Sequence, residues 1–292
     1  MDALKLGEYT LPLGQRTYVM GILNVTPDSF SDGGCYLDPG RAVERGHEMV
    51  AQGADLIDVG GESTRPGATP VPAEEELARV LPVIRRLARE VRVPISIDTY
   101  KARVAEAAVD AGARLLNDIS AGRFDPGMAR LAARTGLPLV VMHMKGDPRT
   151  MQDAPWYEDV VEEVAQFFEE RIGALTAAGV APEQLILDPG LGFGKRQEDN
   201  LRLLAELGRF RRFGRPILVG PSRKSFLGQI LGTPPLDRLE GTLAAVVVAM
   251  VQGADLVRVH DVQAIDRARR VVDALIRPEA AEAVPCGGGS GN

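Results

Sequence analysis

The chain of 292 residues is short of several things, and each shortage excludes a class of protein. Cysteine is scarce: Cys35 and Cys286 lie far apart with no C-x-x-C spacing. That excludes a disulfide framework and a cysteine-based structural zinc site, and it suits a reducing compartment. Long apolar runs are missing too. The longest, "LAAVVVAMV", falls well short of the ~20 residues needed to span a bilayer. No early apolar run flanked by basic residues reads as a signal peptide, so the expectation is a cytoplasmic protein with no membrane partner. A basic excess is absent as well. The net charge of −6 argues against nucleic acid as a partner, leaving room only for a local basic pocket. Lysine is outnumbered about six to one by arginine, a bias that a GC-rich genome or a high growth temperature would each produce. No linker divides the chain.

What is present is a regular alternation. "TYVMGILNVT", "DLIDVGGES", "PISIDT", "RLLNDIS", "PLVVMHMKG", "QLILDPGLG", "PILVGPS" and "DLVRVHD" read as strands, short and apolar, closing on polar residues or glycine. Near-continuous apolar runs suit parallel strands buried on both faces. Between them stand helix-length segments such as "GRAVERGHEMVAQGA", "AEEELARVLPVIRRLARE", "KARVAEAAVDAGA" and "NLRLLAELGRFRRF", with apolar residues at three- and four-residue spacing. Eight strand–helix units predict a single-domain (β/α)8 TIM barrel over residues 16–277. Residues 1–15 read as an N-terminal extension with room for a short β hairpin, and 278–292 as a flexible low-complexity tail. An internal echo, "QGADLIDVGG" and "QGADLVRVHD", repeats one helix-end, glycine, strand phrase. A doubly wound open sheet is the runner-up, but no G-x-G-x-x-G follows the first strand.

In such barrels chemistry gathers at the carboxyl ends of the strands. Here those ends carry Asn24, Glu62, Asp98, Asn117 with Asp118, Met142 with His143, Asp188, the segment "GPSRKS", and Arg258 with His260. Each has a plain reading when taken alone. Asp98 before "TYKARVAEAA" suits a helix N-cap, Asn117–Asp118 a strand end, and Asp188-Pro189-Gly190 a turn. His47 lies in a helical pattern, and His143 suits a polar residue at the rim. Recurrence lifts the set, because polar groups at nearly every strand end are costly in an apolar barrel unless they bind something.

Carboxylates accept paired hydrogen bonds from an N–H/NH2 edge such as that of a 2-aminopyrimidinone ring, and an asparagine serves the mixed remainder. Arg258 and His260, alternate residues on one strand, would hold an anion such as a phosphate. Asn24 and the carboxylates of "TPDSFSD" are hard oxygen ligands suited to Mg2+. The residues therefore point to a polar heterocycle joined to a phosphate group. One further stretch, "LDPGLGFGKRQEDN", resembles a phosphate loop but is not one: Pro189 stands where a P-loop needs glycine, and Arg196 where it needs Ser or Thr.

At these residues the sequence resembles the dihydropteroate synthase family. "GILNVTPDSFSDGG" and "DVGGESTRPGA" are similar to its two signature loops, and "ISIDTYK", "LNDISA", "DPGLGFGK", "GPSRKSF" and "RVHDV" to its other strand ends, in order. The resemblance implies a (β/α)8 barrel, a homodimer, and a transferase joining p-aminobenzoate to 6-hydroxymethyl-7,8-dihydropterin diphosphate, with Mg2+ as cofactor. By motif position it implies that Asp188 pairs with the pterin's N–H/NH2 edge. Asn117 and Asp98 would hold the rest of the ring, Met142 would pack on it, and Lys224 would reach the ring oxygen. Arg258 would stack on the pterin and join His260 and Asn24 at the diphosphate and its Mg2+. Phe30, Thr64, Arg65, Pro66, Phe193 and Ser225 would shape the p-aminobenzoate site, with Asp28 and Asp32 on the closing first loop. Asp98, Lys224, Arg258 and His260 are the expected catalytic set. Sulfonamides, which imitate p-aminobenzoate, would compete for the second site. Three rivals are a Schiff-base aldolase using Lys224, a methyltetrahydrofolate-binding methyltransferase domain, and a non-catalytic pterin binder. The intact loops weigh against the last two.

Overall fold

A computed structural model describes residues 2–26, 38–63, 68–147 and 150–278. The chain opens with an antiparallel hairpin, β1 (Ala3–Leu6) and β2 (Tyr9–Pro12), joined through Gly7. Eight parallel strands follow: β3 (Tyr18–Asn24), β4 (Leu56–Gly60), β5 (Ile95–Asp98), β6 (Leu115–Asp118), β7 (Leu139–Met142), β8 (Leu185–Asp188), β9 (Leu218–Val219) and β10 (Leu256–Val259). Their order, β8-β7-β6-β5-β4-β3-β10-β9, joins chain neighbours except where the first barrel strand, β3, pairs with the last, β10, and a parallel bridge between Leu187 and Ile217 brings the two ends together. The result is the nearly closed (β/α)8 barrel expected from the alternation.

Helices α1 (Pro39–Ala51), α2 (Ala73–Glu90), α3 (Ala102–Ala111), α4 (Gly127–Thr135), α5 (Val160–Ala177) and α6 (Gln197–Ala205) alternate with β3 to β8. α7 (Ser225–Leu231) and α8 (Leu239–Val251) link β9 to β10, and α9 (Val262–Ile276) follows β10. Residues 52–55 and 252–255 end their helices alike, with φ of 103° at Gly53 and 94° at Gly253. The internal echo is thus a repeated helix stop, where a residue without Cβ enters the left-handed region.

Two segments differ from their reading. "NLRLLAELGRFRRF" is α-helical only to Ala205 and then tightens into a 3-10 turn over Leu207–Phe213. A Cβ at Gly208 would press on the main chain of Gln252, so the segment gives up helix for a close approach. "PILVGPS" keeps only two strand residues, because Pro216 and Pro221 bracket it and supply no N–H to a ladder.

The period-2 alternation of the strands sorts the core into two layers. Outward residues such as Val19, Ile57, Ile97, Leu116, Val141, Leu187 and Val257 pack beneath the helices. Inward residues Tyr18, Met20, Leu56, Leu115, Val140, Ile186, Leu218 and Leu256 fill the barrel, joined by Leu4 and Leu6 of the hairpin. The hairpin thereby stoppers the amino end of the barrel. The same parity directs Asp58, Asp98, Asn117, Met142, Asp188 and Arg258 inward, above the apolar plug.

Candidate active site

A cleft opens at the carboxyl ends of the strands. It is lined by Asp98, Asn117, Ile119, Met142, Asp188, Gly190, Leu191, Phe193, Gly220, Lys224 and Arg258. Seven sequence-expected residues from six strands or their loops are therefore brought together.

One corner is built on a guanidinium. Arg258 donates from Nε to Oδ2 of Asp58 and from Nη2 to Oδ2 of Asp98, both at 2.6 Å. Asp58 also accepts from Nδ2 of Asn117 at 3.0 Å. Burial pushes the Asp98 carboxyl up to about 7; Arg258 resists that rise, and neighbouring carboxylates add to it. Burial works against the Arg258 cation, yet Asp58 and Asp98 hold it above its ordinary range. Oδ1 of Asp98 is buried with no hydrogen-bond partner among the described residues, an acceptor suited to a ligand N–H. The N-cap reading of Asp98 fails: α3 begins at Ala102, whose N–H goes to Asp125, and Asp98 turns inward to Arg258 instead.

The opposite corner is built on a loop. Asp188 ends β8, and the N–H of Gly190 donates to its Oδ1 at 2.7 Å. Burial pushes this carboxyl up, against the pull of that N–H and of Lys224 and Lys195. Gly190, Gly192 and Gly194 take φ of 66°, 78° and 63°, so all three glycines occupy the left-handed region. The carbonyls of Gly192 and Gly194 are met by Nε2 of Gln152 and the hydroxyl of Tyr157, each at 2.6 Å. The ammonium of Lys224 lies over the Phe193 ring, 4.1 Å from its centroid. This is a turn that presents a carboxylate and an aromatic face, not a phosphate cradle.

Other expected residues fall elsewhere. Asn24 is the last residue of β3, half-buried and paired in register with Gly60. His260 follows β10, with Nδ1 3.0 Å from Oγ of Ser222. Neither lines the cleft. β10 ends at Val259, so His260 lies one residue beyond the strand that carries Arg258, and Arg258 contacts two carboxylates. Ser225 opens α7, exposed, beside Lys224. His47 is on the outer surface, 2.7 Å from Glu90. Asp28, Phe30, Asp32, Thr64, Arg65 and Pro66 lie outside the described residues.

Three features escaped the sequence reading. Asp58 is fully buried beneath the cleft, yet it sits inside a strand rather than at its end. Its signal was parity: it shares the inward face with the strand-end residues. Lys195 is also buried, and its contacts converge on backbone carbonyls that no spacing rule reveals. Glu62, read only as the polar end of the second strand, accepts from Lys101, from the Tyr100 hydroxyl at 2.8 Å and from the Val71 N–H at 3.2 Å.

Comparison with known proteins places this arrangement. The family model "Pterin binding enzyme" matches residues 20–260. The chain is 49% identical over 275 residues to the dihydropteroate synthase of Synechocystis sp., spanning 94% of this chain and 95% of that protein. It is similar in structure to Yersinia pestis dihydropteroate synthase in complex with a sulfonamide drug, with a TM-score of 0.89, 48% identity, and coverage of 94% and 98% of the two chains. Xanthomonas albilineans dihydropteroate synthase with 4-aminobenzoic acid aligns at a TM-score of 0.88 and 48% identity, over 97% and 99% of the two chains.

Proposed function

The chain belongs to the pterin-binding enzymes, as a dihydropteroate synthase, and from that premise we propose how its own residues divide the work. The reaction is transfer of the pterin-methyl group: p-aminobenzoate nitrogen replaces diphosphate on the exocyclic CH2 of the dihydropterin, giving 7,8-dihydropteroate. The observation that carries the assignment is the cleft's facing set of Asp98, Asn117 and Asp188 around apolar Ile119 and Met142. An aminopyrimidinone ring is flat and apolar on its faces and demands donors and acceptors around its edge.

In this reading Asp188 accepts from the N–H/NH2 edge, its orientation held by Gly190. Oδ1 of Asp98 and the Asn117 amide serve the remaining edge. Lys224 reaches the ring oxygen from above Phe193, and that aromatic face borders the p-aminobenzoate site. Thr64, Arg65, Pro66 and Phe30 complete that site by motif position. Arg258 offers its planar face to the pterin while Asp58 and Asp98 fix its plane. Asn24 and His260 form the diphosphate end of the mouth.

The described residues contain no group of three His, Cys, Asp or Glu side chains able to hold a metal. Mg2+ usually keeps several waters and binds through one or two protein oxygens plus substrate phosphates, so an amide oxygen at Asn24 fits an ion that arrives with diphosphate. When bound, it neutralises charge on the departing diphosphate. The dihydropterin ring is electron-rich and stabilises positive charge at its CH2, so the C–O bond breaks ahead of N–C bond formation. The arylamine attacks in its neutral form and loses one proton afterwards, so a protein nucleophile is not required.

We further propose a cytoplasmic homodimer. Val248 and Val251 on α8 and Val271 and Leu275 on α9 are exposed apolar side chains on the last two helices, and a second copy would cover them. Among the described residues no helix is long and apolar enough to cross a membrane. Diphosphate release that requires both pterin diphosphate and p-aminobenzoate tests the function, with sulfonamides competing against the arylamine alone. Release without the arylamine would overturn it, and light scattering of the purified chain decides the dimer.

A further inference from the structure

The closing lysine of the glycine-rich loop has no part in the chemistry above, and the cleft is lined without it. Yet Lys195 is 3% exposed, a depth that lysine reaches almost only when its charge is met. Its Nζ donates to the carbonyl oxygens of Gly190 at 2.9 Å, Phe193 at 3.1 Å and His143 at 3.3 Å. Nδ1 of His143 lies 2.9 Å away. The amine has three N–H donors when charged and two when neutral, and this cage of acceptors meets them in either state. Gly190, with its left-handed φ, gives its carbonyl to the amine, and a Cβ there would run into the carbonyl oxygen of His143.

We infer that Lys195 is a positioning residue of the synthase reaction: its buried amine gathers carbonyl oxygens of the loops after β7 and β8 and thereby aims Asp188 and Phe193 into the cleft. The inference rests on the function proposed above. The links are short. Gly190, whose carbonyl Lys195 holds, donates its own N–H to Oδ1 of Asp188 at 2.7 Å. His143, held in the same way, donates its N–H to the main-chain oxygen of Asp188 at 2.9 Å. Phe193, the third residue held, carries the ring beneath Lys224. One amine therefore sets the direction of the ring-pairing carboxylate and the position of the second-substrate wall.

Lys195→Met keeps most of the stem and removes the amine. Assayed well below its melting temperature, the folded variant shows raised KM for both substrates and a kcat/KM lowered about 100-fold, the scale of a roughly 1 Å misplacement of binding groups. Its Kd for a pterin analogue, measured by calorimetry without turnover, rises about tenfold or more, in line with the loss of one or two buried hydrogen bonds. A variant that melts earlier but keeps both KM values, kcat and the pterin Kd overturns the inference, since Lys195 would then only stabilise the loop. A wild-type chain that binds pterin but makes no dihydropteroate overturns the functional reading, and the pterin Kd still decides the role of Lys195. If Lys195→Met does not fold, NMR of wild-type protein labelled at lysine Cε replaces it, a tractable spectrum with five lysines. The Lys195 resonance shifts on pterin binding although the side chain lies outside the cleft, and an unmoved resonance overturns the inference.

Discussion

Two buried cations stand on opposite sides of one cleft, and they are compensated by different means. Arg258 is met by whole negative charges, the carboxylates of Asp58 and Asp98. Lys195 is met by dipoles, three backbone carbonyls and an imidazole nitrogen. The consequences run in opposite directions. Arg258 is held above its ordinary range against the effect of burial, whereas burial brings Lys195 down to about 7. At Arg258 two hydrogen-bonded carboxylates outweigh desolvation; at Lys195 desolvation wins over the attraction of the Asp188 carboxylate, which is not hydrogen-bonded to it, and Lys224 adds to the fall. The comparison explains the division of labour. Arg258 orders side chains, including the carboxyl of Asp98, while Lys195 orders a backbone.

Breaking the first corner has the larger expected effect. Arg258→Met strands two buried carboxylates, and breaking a buried pair from one side costs about 3–5 kcal/mol of stability. The loss is smaller in mild acid than in mild base, because protonating Asp98 relieves it; urea titrations at both pH values check this. Next in size is the ligand acceptor held by the second corner. Asp188→Ala loses about 2–5 kcal/mol of pterin affinity by calorimetry, since a buried hydrogen-bonded recognition pair is cut. Retained affinity for pterin diphosphate would remove Asp188 from the ring-binding role.

The pH dependence of stability separates Asp98 from Lys195 by sign. Between 3.8 and about 7 the folded chain keeps a proton on Asp98 that the unfolded chain has released, so this contribution falls as pH rises through that window. Between about 7 and 10.5 the unfolded chain keeps a proton on Lys195 that the folded chain has released, so this contribution rises with pH. Denaturation midpoints across the range show Asp98→Asn flattening the lower limb and Lys195→Met the upper. A single variant that altered both limbs would mean that the corners titrate as one unit. The smallest effect is at the edge of the loop. Tyr157→Phe removes the hydroxyl donor to the Gly194 carbonyl and costs about 0.5–1.5 kcal/mol, with kinetic constants unchanged because neither Asp188 nor Phe193 is held through that bond.

Much of the site was legible because strand ends are. Asp98, Asn117, Met142, Asp188 and Arg258 each close an apolar run, and the barrel expected from those runs brings them to one mouth. Asp58 was legible in principle, two residues before Gly60 and on the inward parity, but attention to strand ends passes over a charge buried mid-strand. The helix-cap reading of Asp98 failed for a related reason. Its spacing from the next helix suits a cap, but a residue 160 positions away, Arg258, claims its carboxylate. Lys195 was visible as a residue and opaque as a function, since its partners are carbonyl oxygens that every residue type supplies.

By itself the sequence determined the order of strands and helices, the helix stops at Gly53 and Gly253, and the family to which its loop strings belong. These follow from local patterns: apolar period, left-handed glycine positions and contiguous motifs. The tertiary structure alone decided which charges meet. Arg258 with Asp58 and Asp98, and Lys195 with His143, are pairings made by barrel closure across long stretches of chain. Electrostatic energy depends on distance and burial, and neither is written into the spacing of residues along a chain. The glycine-rich loop joins the two levels: its glycines were readable as a tight turn, but only the closed barrel brings His143 against the lysine that the turn folds back on its own carbonyls.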